Sequence, residues 1–383
     1  MIIQTQAELA AFCQKLAKEP YITVDTEFLR DRTYYPRLCL LQMAGPGTDA
    51  AAIDPIDKDI DLAPVFDLMA DEKVLKVFHA ARQDLEIFHY LNGALPRRIF
   101  DTQVAAMVCG YGDQIAYNAL VRDLTGHQLE KNAQFTDWSR RPLSDKQLKY
   151  ALDDVIYLRE VYEKLDAQLI KENREHWVFE EVEFLSSAST YELDPQDAWQ
   201  RIKIKSDKPE VLAILRALAA WREEEARRKD VPRGRILKDE TLADISIYMP
   251  KDVEGLRRIR SLPGDIARSK TGEKVLEIIA TARKTPKKDW PKKERRDPLP
   301  KHATAALEML KLLLKINCAE ADVAPKLVAT SDDLERLAVE ENPDIPALHG
   351  WRRDVFGEDA LKLKTGTLSL ALQGTRIKKI TAE

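Results

Sequence analysis

Two acidic residues, Asp25 and Glu27, stand two positions apart after the apolar run Tyr21–Val24. Side chains at positions i and i+2 of a β-strand point to the same face, so a strand here would set both carboxylates side by side. Carboxylates that close repel each other unless a cation lies between them, and Mg²⁺ and Mn²⁺ take such oxygen ligands. The spacing indicates a metal site, and the simpler alternative for an isolated pair is a solvated acidic turn.

A third acidic residue, Asp84, follows another apolar strand-like run, Val74–Phe78. It falls in the first turn of a helix predicted over Ala80–Leu91. An acidic residue in that turn also stabilises the helix dipole, so a purely structural role is an equally good interpretation. His79, between the strand and the helix, is by itself more typical of a hydrogen-bonded structural histidine than of a metal ligand.

A third group lies in a helix predicted to begin after Ser144, which forms a capping-box pattern with Gln147. Tyr150 and Asp154 are four residues apart and therefore share one face of that helix. A phenol beside a metal-bound carboxylate could orient an attacking water. The alternatives are a tyrosine packed against the sheet, and Asp153 instead of Asp154 as the residue facing the site.

These three segments, 24–28 (VDTEF), 79–84 (HAARQD) and 150–154 (YALDD), occur in an order that carries more weight than any one alone. Together they resemble the motifs of the tyrosine-containing branch of the Asp-Glu-Asp-Asp 3'–5' exonuclease superfamily, in particular its ribonuclease D family. Segment 136–144 (TDWSRRPLS) is similar to the run that precedes the third motif in that family. The histidine-containing branch has His five residues before the last Asp, where this sequence has Lys149.

The resemblance implies a catalytic set and a metal requirement. Four carboxylates would hold two divalent metal ions, Mg²⁺ or Mn²⁺, and a tyrosine would position the attacking water. The family spacing favours Asp154 over Asp153 as the last ligand. The implied catalytic residues are Asp25, Glu27, Asp84, Tyr150 and Asp154, of which all but the tyrosine would bind metal.

Two residues of segment 136–144 are candidate substrate contacts. Trp138 could stack on a terminal base, and Arg141 could bind a phosphate. The simpler interpretation is a tryptophan in the core and an arginine on the surface.

The order of strand-like and helix-like patterns predicts a multidomain protein of α/β plus all-α class. Three closely spaced strands, followed by strands alternating with helices, favour a mixed sheet with helical covers. The resemblance implies a ribonuclease H-like 3'–5' exonuclease domain over residues 1–200. It also implies an HRDC domain over 205–288 and a second, more divergent HRDC-like helical domain over 298–378. A proline-rich linker over 286–300 precedes the last block, which is predicted to be helical to about residue 372.

The net charge of the whole chain argues against a uniformly basic nucleic-acid-binding protein. The distribution of charge along the chain changes this conclusion. The 383 residues include 60 Lys and Arg and 64 Asp and Glu, a net charge of -4. Residues 201–301 contain 28 basic and 17 acidic residues, a net charge of +11, which leaves -15 on the remainder. The middle segment is therefore suited to contact phosphates. Candidate cations there are Arg227, Arg228, Lys229, Arg233 and Arg235, although a solvated helix face explains several equally well.

Compartment signals favour the cytoplasm. The four scattered cysteines form no C-x-x-C pair, which predicts free buried thiols in a reducing compartment. No signal-peptide pattern and no membrane-length apolar run occur in the sequence, so we expect no contact with a membrane. No obligatory protein partner is inferred.

The function predicted from the resemblance is a 3'–5' exoribonuclease that trims tRNA precursors and other small structured RNAs and releases 5'-nucleoside monophosphates. A DNA exonuclease of the same superfamily is the nearest alternative, and matched RNA and DNA oligomers would discriminate between them. A catalytically inactive nucleic-acid-binding adaptor conflicts with the intact set of four carboxylates and a tyrosine. A helicase is disfavoured because the sequence lacks a G-x-x-x-x-G-K-[ST] phosphate loop.

Overall fold

A six-stranded mixed sheet forms the centre of the first part of the chain. The computed structural model describes residues 1–47, 50–57, 59–130, 133, 136–293 and 298–381. The strands are β1 (Ile2–Ile3), β2 (Tyr21–Leu29), β3 (Arg37–Ala44), β4 (Ala50–Ile53), β5 (Leu75–Phe78) and β6 (Ile99–Asp101). They are arranged in the order β1-β4-β3-β2-β5-β6, and β3 runs antiparallel to both of its neighbours. The expected mixed sheet is confirmed, and β2 lies in its interior.

Seven helices cover this sheet. They are α1 (Gln6–Leu16), α2 (Ala63–Ala70), α3 (Arg82–Asn92), α4 (Thr102–Val108), α5 (Tyr117–Thr125), α6 (Asp145–Glu172) and α7 (Glu175–Glu183). The capping box predicted at Ser144 and Gln147 is present at the start of α6. Helix α6 is tied to the sheet because the Thr23 hydroxyl donates to the carbonyl of Val155 at 2.8 Å. This bond fixes the long helix against the central strand.

The second part of the chain is a separate helical bundle. It contains α8 (Pro209–Lys229), α9 (Arg233–Ile236), α10 (Asp239–Tyr248), α11 (Val253–Arg257), α12 (Gly264–Ala267) and α13 (Lys270–Lys284). A 3₁₀ helix, Pro195–Arg201, precedes it. Ile214, Leu242 and Ile279 belong to a buried cluster of its own, distinct from the core of the sheet domain. Apolar burial in a unit of its own supports an independent domain here.

The third part is helical and ends in a hairpin. It contains α14 (Ala303–Glu320), α15 (Pro325–Val328), α16 (Ser331–Val339), α17 (Gly350–Arg352) and α18 (Glu358–Thr365), with a π-helical turn over Arg353–Gly357. Strands β7 (Leu368–Gln373) and β8 (Arg376–Thr381) then pair antiparallel. The expectation of helix to about residue 372 is therefore wrong. Residues 368–372 alternate apolar and polar positions only partly, and Gly374, with φ of 61°, provides the turn.

Other compartment and linker expectations have mixed outcomes. All four cysteines are buried and free, as predicted. No helix in the described part of the chain is both long enough and apolar enough to cross a membrane. Residues 294–297 of the predicted linker lie outside the described residues. The domain bounds themselves stay predictions.

The bundle of helices α8–α13, which we call the first helical bundle, contacts the sheet domain through Tyr34. This residue lies in the loop after β2. The Tyr34 hydroxyl donates to the carboxylate of Glu223, which is fully buried on α8. The backbone N–H of Tyr34 donates to Asp230 at 3.1 Å. The guanidinium groups of Arg227 and Arg233 lie 5.7 and 5.0 Å from the centre of the Tyr34 ring. One aromatic residue therefore anchors the bundle beside the central strand.

Removing this hydroxyl should loosen the contact. We expect Tyr34→Phe to destabilise the protein by about 1–2 kcal/mol, because the buried Glu223 loses a hydrogen-bond donor while the ring contacts remain. Denaturant unfolding followed by circular dichroism measures the change. Tyr248→Phe is the matched control, since Tyr248 is 72% exposed. Equal unfolding midpoints for the two variants would contradict this account of the contact.

Candidate active site

Three carboxylates meet where strand β2 passes helix α6. Asp25 and Glu27 come from β2 and Asp154 comes from α6, and one oxygen of each lies within 4.8 Å of the others. The two strand residues are adjacent in space, as their i, i+2 spacing predicted. The three side chains line a cleft of about 220 Å³ that also contains Tyr150 and Tyr117. We call these three residues the carboxylate cluster.

Asp84 lies beside the carboxylate cluster without being part of that group of three. Its side chain is buried on α3, and the hydroxyl of Thr26 donates to it. Asp84 raises the pKa of Glu27 through its charge, although burial and Asp25 have larger effects, so the two carboxylates are close enough to interact. The structure therefore brings all four predicted acidic residues to one region, with Asp84 in the most enclosed position.

The turn before α3 sets the position of Asp84. Ala80 has a φ of 58°, a left-handed conformation that is unfavourable for a residue with a Cβ. The carboxylate of Asp101 accepts hydrogen bonds from the backbone N–H groups of Ala80 and Ala81 at 2.9 and 2.8 Å. These bonds offset the strain of the turn and orient the first turn of the helix.

Tyr150 faces the carboxylate cluster from α6. Burial, followed by the charge of the Asp154 carboxylate one helical turn later, raises the pKa of its hydroxyl, so the two groups are close enough to interact. Asp153 instead pairs with Lys149 at 2.6 Å. The geometry therefore discriminates between the two candidate aspartates: Asp154 lies in the carboxylate cluster and Asp153 does not.

Burial and mutual repulsion shift the acidity of the site. Burial, followed by the charge of Asp154, raises the pKa of Asp25 well above its ordinary value. Burial, followed by Asp25 and Asp154, raises the pKa of Glu27 to about 10. Burial, followed by Asp153, raises the pKa of Asp154 to about 7, although the nearby Tyr150 hydroxyl lowers it. The cluster is therefore a place where negative charge is costly unless a cation neutralises it.

The chemistry of these donors fits a divalent cation. Three carboxylate oxygens within 4.8 Å of one another provide a hard, anionic ligand set. Mg²⁺ and Mn²⁺ prefer such oxygen ligands over nitrogen or sulfur. A cation among these oxygens would also remove the repulsion that raises the carboxyl pKa values. Asp25, Glu27 and Asp154 are therefore the residues best placed to hold a metal ion.

His79 lines the same cleft but is engaged through both ring nitrogens. Its Nδ1 lies 3.0 Å from the hydroxyl of Thr102, and its Nε2 lies 3.2 Å from the carbonyl of Ile115. Burial lowers the pKa of the imidazole. These contacts agree with the structural interpretation of this histidine.

The two predicted substrate contacts are placed differently from expectation. Trp138 is 2% exposed and packs with Cys39 and Leu40 in a small buried cluster, so its ring is enclosed by protein and cannot stack on a base. The guanidinium of Arg141 forms a two-pronged pair with Asp54 and also donates to the carbonyl of Cys39 at 2.8 Å. Both side chains fix the segment before α6: the burial of Trp138 agrees with the simpler interpretation of a core tryptophan and not with base stacking, and the phosphate contact of Arg141 stays a prediction.

The basic residues of α8 and α9 are also largely committed to neighbouring carboxylates. Arg233 and Arg227 pair with the buried Glu223. Arg228 and Lys229 pair with Glu225 at 2.8 and 2.7 Å. The interpretation of these four residues as a phosphate-binding row is therefore weakened, because each already pairs with a carboxylate of the bundle, whereas Arg235 has no ion pair among the described residues.

Three supporting residues were missed by sequence reasoning. Thr26 donates to Asp84, and the hydroxyl of Tyr117 donates to the backbone carbonyl of Asp154 at 2.8 Å. Asp101 holds the turn before α3. Only Asp101 has a local signal, since it is also the N-cap of α4. The other two depend on contacts between elements far apart in sequence.

Comparisons with known proteins agree with this geometry. A family model described as 3'-5' exonuclease matches residues 1–170, and a model described as HRDC domain matches residues 211–279. The exonuclease family is metal-dependent, in agreement with the carboxylate cluster. The first match covers the sheet with all four acidic residues, and the second lies within the first helical bundle.

Full-length relatives carry one name. A ribonuclease D from Nitrobacter hamburgensis is 48% identical over 382 residues, which are 99% of each chain. A ribonuclease D from Gluconacetobacter diazotrophicus is 47% identical over 100% of this chain and 97% of its own. The crystal structure of Escherichia coli RNase D, 28% identical, covers 96% of this chain and 98% of its own with a TM-score of 0.81. The chain therefore belongs to the ribonuclease D family of 3'–5' exoribonucleases.

Proposed function

We propose that Asp25, Glu27, Asp84 and Asp154 hold two divalent metal ions, Mg²⁺ or Mn²⁺, at which this exoribonuclease hydrolyses the terminal phosphodiester of RNA. The observation that carries the proposal is the approach of three carboxylate oxygens to within 4.8 Å, with Asp84 beside them. Asp25 would be shared between the ions, and Asp84 would contribute to the second one. When bound, such a pair of ions stabilises negative charge on the attacking and leaving oxygens of a phosphodiester.

Tyr150 would orient the attacking water rather than deprotonate it. Burial and the nearby carboxylates raise the pKa of its phenol above the ordinary value, so the hydroxyl stays protonated at neutral pH. A protonated phenol on the same helix as Asp154 can still donate a hydrogen bond to a water molecule or accept one from it, from a fixed position in the cleft. Its contribution is therefore one of geometry.

The proposed substrates are the 3' ends of tRNA precursors and other small structured RNAs, with 5'-nucleoside monophosphates as products. The relatives named ribonuclease D support this choice, and the E. coli protein is described as an exoribonuclease involved in structured RNA processing. The basic segment 201–301, with its net charge of +11, adds electrostatic support for a polyanionic substrate.

Asparagine in place of Asp25 cannot serve as an anionic metal ligand. We expect Asp25→Asn to slow 3' trimming of a 5'-labelled tRNA precursor in Mn²⁺ by at least about 10³-fold. Asp153→Asn is the matched control, because that carboxylate pairs with Lys149, and it should retain the wild-type ladder. EDTA should abolish the ladder. Trimming by Asp25→Asn at the wild-type rate, internal cuts, or equal degradation of a matched DNA oligomer would each contradict the proposal.

Substitution of Tyr150 distinguishes a role in orienting the attacking water from a role in binding the RNA substrate. We expect Tyr150→Phe to lower kcat by about 10- to 100-fold with little change in KM, because the ring still packs while the water loses its hydrogen-bond partner. Tyr157→Phe, seven residues later on the same helix, should behave as wild type. Steady-state trimming of a short RNA gives both constants. A rise in KM at unchanged kcat would assign Tyr150 to substrate binding instead.

The stabilisation of the protein by Mn²⁺ should depend on pH. The raised pKa values of Asp154, about 7, and Glu27, about 10, mean that ionising these groups costs folded-state stability as pH rises above their unfolded values near 4. A cation removes this cost, so Mn²⁺ should raise the melting temperature more at pH 8 than at pH 5.5, relative to EDTA. Thermal unfolding by circular dichroism measures both shifts. Equal shifts at the two pH values would count against metal binding at this cluster.

A further inference from the structure

A second concave surface lies away from the carboxylate cluster. It is located where the segment that enters the first helical bundle meets the segment that leaves it. It is a groove of about 890 Å³ formed by the segment before α8, the start of α8 and the residues that follow α13. Five cations line it: Arg201, Lys203, Lys205, Lys292 and Lys293. Among the residues that the structure describes, no carboxylate belongs to its lining. We call it the linker groove.

The sequence of one wall explains why its cations point outward. Arg201, Lys203 and Lys205 alternate with Ile202 and Ile204. The cations are exposed, whereas Ile202 is buried and Ile204 is partly buried against the core of the bundle. Arg201 ends the 3₁₀ helix and Ile202 has an extended backbone, with φ of -90° and ψ of 122°. The wall therefore presents three exposed cations close together in sequence, suited to contact phosphates of a nucleic-acid strand.

These cations differ from those of α8 and α9 in having few partners. Within the described ranges, Arg201, Lys203, Lys205 and Lys292 form no ion pair, and Lys293 lies 3.7 Å from Asp207. Arg227, Arg228, Lys229 and Arg233, by contrast, all form ion pairs, two with Glu223 and two with Glu225. The linker groove therefore brings together four cations that form no ion pair among the described residues.

The floor of the groove adds an apolar and aromatic surface. Trp199 and Leu212 line it together with the two isoleucines, and the Trp199 ring is only partly buried. An aromatic ring beside a row of cations is the combination that binds single-stranded nucleic acid, since bases stack on the ring while cations follow the backbone. Apart from Leu212, the lining residues lie outside the segment 211–279 that matches the HRDC family model.

We propose that the linker groove binds a single-stranded part of the RNA substrate as a second site, separate from the carboxylate cluster. The occupant is assigned from charge complementarity and from the aromatic floor. The inference rests on the proposed RNA-trimming function, since it makes the groove a contact for RNA whose 3' end is being processed. It adds binding energy for RNAs long enough to reach it, and leaves hydrolysis of the shortest substrates unaffected.

The test is a charge reversal measured by binding in EDTA, where no trimming occurs. Fluorescence anisotropy with a 5'-labelled 20-nucleotide oligouridylate gives Kd for the full-length protein. For Lys203→Glu/Lys205→Glu we expect Kd to rise by about 25-fold at 0.1 M salt, as counter-ion release predicts for two lost phosphate contacts. The slope of log Kd against log salt should fall by about 1.4 in magnitude.

The control variant carries the same change in net charge elsewhere. Lys311→Glu/Lys315→Glu on α14 should leave Kd within about twofold of wild type, because non-specific long-range charge effects are screened at this salt concentration. Trimming of a trinucleotide in Mn²⁺ by the groove variant should match wild type, which also reports correct folding. An unchanged Kd for Lys203→Glu/Lys205→Glu, or an equal loss in the α14 variant, overturns the proposal.

The same assays distinguish failure of the second site from failure of the proposed function. Weakened binding in EDTA supports the groove whatever the outcome of trimming, because binding is measured without metal. Absence of metal-dependent trimming by the wild-type protein would instead overturn the function proposed for the carboxylate cluster. A 20-base-pair RNA duplex that loses affinity while the single strand does not would overturn the assignment of a single-stranded occupant.

Discussion

Electrostatic repulsion among Asp25, Glu27 and Asp154 is the constraint on which the site depends. Three carboxylates at this distance destabilise the fold as long as they are ionised and no cation lies among them. The pKa values of all three are raised by burial and by their neighbours. The surrounding structure must therefore hold the residues in place against a force that would separate them. Such an arrangement is costly for stability and suited to binding metal.

The elements that resist this force come from the core of the sheet domain. Strand β2 lies between β3 and β5: its first residues, 21–23, pair with β5, and the part that carries Asp25 and Glu27 pairs with β3. Helix α6 is attached to that strand through Thr23 and to α5 through the Tyr117 hydroxyl. Asp84 is set by a left-handed turn that Asp101 stabilises. Rigid elements thus carry every acidic residue of the site, as a fixed ligand geometry requires.

Local spacing was enough to predict part of this site, and contacts distant in sequence determined the rest. The adjacency of Asp25 and Glu27, and of Tyr150 and Asp154, follows from strand and helix periodicity. The burial of Trp138 depends on packing with strand β3, and the role of Arg141 depends on Asp54, 87 residues earlier. Neither contact has a local sequence signal. The C-terminal hairpin was missed because a short, partly alternating segment does not separate strand from helix.

Charge is unevenly distributed in this protein: carboxylates that repel one another meet beside strand β2, and five cations line the linker groove. The central claim is that the carboxylate cluster and Asp84 together bind two divalent ions. The direct test is a titration of the protein with Mn²⁺ in which electron paramagnetic resonance measures the concentration of free Mn²⁺. The difference between added and free Mn²⁺, divided by the protein concentration, gives the number of ions bound per chain. We expect two ions bound per wild-type chain and loss of tight binding in Asp25→Asn, with Asp153→Asn unchanged. Full Mn²⁺ binding by Asp25→Asn, or no tightly bound ion in the wild-type protein, would contradict it.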